Sequence, residues 1–122
     1  MPRPRVLLGG LEPIVRIGMT AVLGEEGMEV VGAEQRPRAL LLVAERLQPD
    51  AVVLGVGSRD LVARVREACP HATVVLWTRD EEVMEVVGPG SGEARRVEAP
   101  LPEDLCGALA AGGALPSRPD AA

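Results

Sequence analysis

The chain has 122 residues, is 47% hydrophobic and 25% charged, and carries a net charge of −5. That suits one globular domain and excludes a disordered chain, while the acidic balance argues against a general nucleic-acid binder. All thirteen basic residues are arginine and lysine is absent, so no mechanism that needs a lysine amine is open to this chain.

Val6-Leu7-Leu8 reads as a buried strand stopped by Gly9-Gly10. Glu12-Pro13 opens a helix, because proline fits a first turn whose N–H has no partner anyway. Ile14, Val15, Ile17, Gly18, Met19, Ala21 and Val22 give that helix a broad apolar face, and Gly24 and Gly27 bracket its end. Val30-Val31 centres a second strand. Arg36-Pro37 starts a second helix with Leu40, Leu41, Val43, Ala44 and Leu47 inward, and Ala51-Val52-Val53-Leu54 is a third strand. Asp60 to Ala68 reads as a helix, Thr73 to Trp77 as a strand and Glu81 to Val87 as a short helix. Gly88-Pro89-Gly90-Ser91-Gly92 is a flexible connection, Arg95 to Glu98 a weak fifth strand, and Pro102 to Ala111 the last helix. The domain is expected over 1–112, with a frayed tail or linker start over 113–122.

Strands alternating with helices predict right-handed crossovers and an α/β fold: a doubly wound, five-stranded parallel sheet of order 2-1-3-4-5. The aliphatic composition, with Trp77 the sole aromatic residue, suits strands buried on both faces. Cys69 and Cys106 make no disulfide framework or metal motif. With no membrane span and no signal-peptide pattern in Met1-Pro2-Arg3, the expected location is the cytoplasm.

Three stretches carry a resemblance. Val6-Leu7-Leu8 with Glu12-Pro13-Ile14-Val15-Arg16-Ile17-Gly18, then Leu47-Gln48-Pro49-Asp50-Ala51-Val52-Val53-Leu54, then Arg66-Glu67-Ala68-Cys69-Pro70 with Val74-Val75-Leu76-Trp77-Thr78, stand in order and near-correct spacing. With Pro100-Leu101-Pro102-Glu103-Asp104-Leu105, they resemble the receiver domains of two-component response regulators of the NarL/LuxR type, over roughly residues 5 to 112. The resemblance implies a flavodoxin-like (CheY-like) fold and, in the family, phosphorylation of an aspartate held with Mg²⁺.

The residues for that chemistry are missing. The acidic pair after the first strand falls on Gly10 and Leu11, the phosphoacceptor on Gly55 and the lysine on Glu98. Only the hydroxyl after the fourth strand survives, as Thr78, and the aromatic switch position falls on Arg95. The first aspartate of the chain is Asp50, so no slip in alignment restores the pair; Asp60, at a helix start, reads as a cap rather than a displaced nucleophile. Without paired carboxylates, a metal and a lysine, charge on a transferring phosphoryl group goes unneutralised. No catalytic residue, cofactor or metal site is expected, and the chain reads as a non-enzyme.

Two functions follow as expectations. The first is a phosphorylation-independent signalling or interaction module, expected in transcriptional regulation, acting as a homodimer or on a protein partner. Its surface would be Arg95, Arg96, Leu101, Glu103, Asp104, Leu105, Ala108 and Leu109. The chain holds no helix-turn-helix, so DNA contact would need a separate or missing domain, and a truncated regulator fits as well as a module acting alone. The alternative is an anion or small-molecule sensor at the vacated pocket, using Ser58, Arg59, Thr78 and Arg79 past the strand ends. Gly55-Val56-Gly57 lacks the third glycine of a dinucleotide fingerprint and reads as a tight turn. His71 beside Cys69 reads as a surface histidine rather than half of a nucleophilic pair.

Overall fold

Val6, Leu7 and Leu8 have no room for water: each is at most 1% exposed, in the strand β1 (Arg5–Gly9). The structure is a computed structural model, and it describes residues 3–55, 59–78, 83–89, 94–98 and 102–110. After β1 come α1 (Pro13–Glu25), β2 (Glu29–Glu34), α2 (Pro37–Leu47), β3 (Ala51–Leu54), α3 (Arg59–Ala68), β4 (Thr73–Thr78), β5 (Val83–Val87), β6 (Ala94–Glu98) and α4 (Pro102–Ala110). The expected tail falls outside the described residues.

Among the described residues, one sheet carries six strands in the order β2-β1-β3-β4-β5-β6. β1 pairs in parallel with β2 and β3, and β3 with β4. Side chains alternate between its two faces. Val6, Leu8, Ala51, Val53 and Val75 join one core cluster with Leu23 of α1 and Leu105, Ala108 and Leu109 of α4. Leu7, Val52, Leu54 and Val74 join the other, with Leu40 and Ala44 of α2 and Val65 of α3. The α/β architecture and the order 2-1-3-4-5 of the first five strands therefore agree with the sequence reading, and the order resembles that of receiver domains.

The outer half of the sheet departs from it. The segment read as a helix over Glu81 to Val87 is instead β5, antiparallel to β4, with Trp77 opposite Met84 and Val75 opposite Val86. The strand read as fifth is β6, antiparallel to β5 and one place further out. The sheet is therefore six-stranded and mixed, not five-stranded and parallel. Val83, Val86 and Val87 are β-branched and favour a strand. Five residues with four apolar side chains do not reveal their period, and pairing with β4 satisfies backbone groups that a crossover helix would have left to β6.

α1 also differs in detail. Leu23 is buried and Val15, Met19 and Val22 pack half-buried on the first cluster. Ile14 and Ile17 face outward at 75% and 66% exposure, and Gly18 and Ala21 are exposed as well. The apolar face that packs is narrower than the one the sequence suggested. A Cβ on Gly18 would meet nothing within 4 Å. Gly18→Ala is therefore expected to raise the free energy of unfolding by about 0.5–1 kcal/mol through helix propensity alone, read from urea denaturation.

The opposite, amino-terminal edge is tied by polar bonds. Asp50 accepts from the Arg5 backbone N–H at 2.8 Å, and the Arg5 guanidinium donates to the Leu47 carbonyl at 2.8 Å. Gln48, left-handed at φ 45°, ends α2 and donates through Nε2 to the carbonyls of Glu45 and Ala68. The chain's first aspartate is thus a structural acceptor, far along the strands from any carboxyl-edge chemistry.

Candidate functional site: a closed carboxyl edge and an open groove

Gly10, Leu11 and Gly55 do come together at the carboxyl edge of β1 and β3. The Gly10 N–H donates to the Glu34 carbonyl and the Gly55 N–H to the Gly9 carbonyl, each at 2.9 Å. Gln35 donates through its side-chain amide to the Leu11 carbonyl, which fixes the turn after β1. Leu11 is 4% exposed and belongs to the first core cluster. Its side chain lies across Gly55, so a Cβ there would stand 2.3 Å from Leu11 Cδ2, 3.0 Å from the Gly10 carbonyl oxygen and 3.3 Å from Leu11 Cα. The space beside Gly55, where the resemblance to receiver domains would place an aspartate, is filled by the Leu11 side chain. Sequence reasoning identified both residues but took the space between them as vacated.

The remaining pocket positions do not converge. Thr78 ends β4 and Glu98 ends β6, with Val83 of β5 between them in the same cross-strand row. Two strand spacings put them about 10 Å apart, where adjacent parallel strands would have left about 5 Å. Arg59 opens α3, whereas Ser58 and Arg79 lie outside the described residues. A carboxylate that the spacing did not flag, Glu34, sits half-buried at the end of β2 opposite Gly9. Among the described residues, no group of three or more His, Cys, Asp or Glu side chains could hold a metal ion.

Asp60 pairs with Arg64 one helical turn on, at 3.3 Å between exposed side chains. Its place in the first turn of α3 complements the helix dipole. Cys69 is 1% exposed and donates from Sγ to the Ala44 carbonyl at 3.2 Å. Burial pushes its thiol pKa up, and the Glu45 carboxylate adds to the rise. His71 is exposed, while the Cys69 thiol is buried and turned to the Ala44 carbonyl. Trp77 packs half-buried on the first cluster.

The surface proposed for a partner is changed most. Leu105, Ala108 and Leu109 are 2%, 0% and 6% exposed, so their apolar area lies inside the core rather than at a contact. Asp104 is half-buried, Glu103 lies in α4, and Leu101 is outside the described residues. Arg95 and Arg96 remain exposed on β6.

A groove the sequence did not announce opens on the α3 side of the outer strands. Val62, Ala63 and Arg66 of α3 form one wall, and the floor is Val74, Leu76, Glu85, Val87, Ala94 and Arg96, around a cavity of about 450 Å³. It lies on the face of β5 that carries Val83, Glu85 and Val87, where Val83 and Val87 are buried at 5% and 8% exposure and Glu85 is half-buried. Glu85 stands opposite Arg96 across the strand pair, and Arg96 Nε lies 3.8 Å from Glu98 Oε1. Its lining mixes apolar residues with Arg66, Glu85 and Arg96, and its volume lies within the range of small-molecule sites. Only knowledge that 83–87 is a strand would have exposed it. No helix among the described residues is long and apolar enough to cross a membrane. No protein-family model matches the chain, and no curated protein matches it.

Proposed function

We propose that the chain is a receiver-like interaction module that works without phosphorylation. The observation that carries this reading is the packing of Leu11 over Gly55, which leaves no room for a phosphoacceptor side chain between β1 and β3. The absence of lysine from the sequence and the separation of Thr78 from Glu98 by β5 support it, since phosphoryl transfer needs its charges gathered at one point. What such a module has left is its surface, and we infer that its output passes through contacts with another polypeptide, in transcriptional control through a DNA-binding domain borne by a longer chain or a partner. The cytoplasm is the compartment that suits this role.

The deciding experiment is incubation of the purified chain with acetyl phosphate and Mg²⁺, followed by intact mass measurement. An unchanged mass is expected. A phosphoryl adduct on any aspartate would overturn the reading and make the chain a phosphorylation switch.

A second reading, a small-molecule or anion sensor, draws on a different observation from the one that first suggested it. The carboxyl-edge space is filled by Leu11, but the groove beside α3 is lined by Arg66, Arg96 and Glu85 among apolar residues. Calorimetric titration with short aliphatic carboxylates would test it; flat isotherms for wild type, or heats unchanged by Arg96→Ala, would sink it.

A further inference from the structure

β6 is the last strand of the sheet, and among the described residues nothing pairs along its outer side. An unpaired strand edge is a template for another strand, unless its side chains forbid it. Arg95 and Val97 share one face of β6, and Ala94, Arg96 and Glu98 share the other. Val97 stands opposite Met84 and packs on the first core cluster, while Arg96 and Glu98 point to the other face, opposite Glu85 and Val83.

We propose that the chain pairs with a second copy of itself through β6, antiparallel and centred on Val97. This rests on the reading of the chain as an interaction module and names its partner.

The register follows from symmetry. A two-fold axis perpendicular to the sheet keeps each side chain on its own face, so directly opposed residues must have the same parity along the strand. Only five centres are then available on β6. Centring on Arg95 or Arg96 opposes two arginines, and centring on Glu98 opposes two glutamates, each destabilising. Centring on Ala94 overlaps only the strand's first residue. Centring on Val97 instead sets Arg96 opposite Glu98 of the second copy, twice, with the two Val97 side chains together. On one face this gives a row of alternating charge: Glu85, Arg96, then Glu98 of the second copy. On the other it gives an apolar row, Met84 and Val97 meeting the same pair from the second copy, so the half-buried Val97 gains cover. Within one chain the Arg96–Glu98 pair is long, at 3.8 Å, and both side chains are more than half exposed, so on its own it does little. The contact is short and belongs with small, transient interfaces.

The test is a charge exchange read by analytical ultracentrifugation across a concentration series, with circular dichroism confirming that each variant folds. Wild type is expected to show a reversible dimer below about 1 mM. Arg96→Glu and Glu98→Arg alone are each expected to weaken it about tenfold or more, because two cross-strand pairs are reversed at once. The double variant R96E/E98R is expected to dimerise again, and an equimolar mixture of the two single variants to form a heterodimer. A wild-type chain that stays monomeric to about 1 mM would overturn the proposal and leave the β6 arginines as edge-protecting charges. Singles as dimeric as wild type, or a mixture that stays monomeric, would overturn it too. No phosphodonor is present in these measurements, so their outcome is independent of the acetyl phosphate result.

Discussion

Gly55→Ala is expected to destabilise the domain by about 1–3 kcal/mol, the usual range for overpacking a filled site. The added Cβ would stand 2.3 Å from Leu11 Cδ2, and a rotamer change would relieve that contact alone. The Gly10 carbonyl oxygen at 3.0 Å and Leu11 Cα at 3.3 Å are backbone atoms, held by the Gly10–Glu34 and Gly55–Gly9 hydrogen bonds. The turn after β1 must therefore shift as a whole. Leu11→Ala should itself be destabilising, since Leu11 is 4% exposed in the core. In the Gly55→Ala background, however, it should cost less than alone, because part of the crowding is relieved. Urea denaturation of the four-member cycle measures that coupling. Strict additivity would mean that the two side chains do not compete for one space. Gly55→Asp, which would put a carboxylate where the resemblance to receiver domains expects one, should be at least as destabilising as Gly55→Ala.

Met84→Ala is expected to have the largest effect, about 2–5 kcal/mol, as for a fully buried long side chain. Met84 is 0% exposed and Val86 1% exposed, and both face the first core cluster, while Glu85 between them is half-buried on the groove side. In a helix, residues two apart point about 200° away from each other, so Met84 and Val86 could not share one core. In a strand they do. The pattern expected from denaturation is therefore two sensitive positions flanking a tolerant one: Met84→Ala and Val86→Ala both destabilising, Glu85→Ala close to neutral. A tolerant Val86 would favour the helical reading of 81–87 and remove the basis of the groove and of the β6 edge alike.

The four retained helices and the strands β1, β3 and β4 were legible from local pattern. Proline at the first turns of α1 and α2 marks their starts. The unbroken aliphatic runs Val6–Leu8 and Ala51–Leu54 mark strands covered on both faces. The absence of lysine anywhere, and of any aspartate before Asp50, needs only composition and order. Such features depend on residues within a few positions of each other, or on mere absence, and no neighbouring element can alter them.

The tertiary structure decided what depends on a distant partner. Val83 to Val87 carries enough apolar residues for either a short helix or a strand, and the free edge of β4 selected the strand because pairing satisfies the backbone of both. That choice pushed β6 outward, separated Thr78 from Glu98, and opened the groove beside α3. Leu11 was legible as an apolar residue where the resemblance expects an acid, but not as a plug, since only the approach of β3 to β1 brings Gly55 under its side chain. Ile14 and Leu105 show the same limit. Both are apolar residues on amphipathic helices, yet one is 75% exposed and the other 2%. Helical period marks out an apolar side, but how wide a strip of it is buried depends on what packs there.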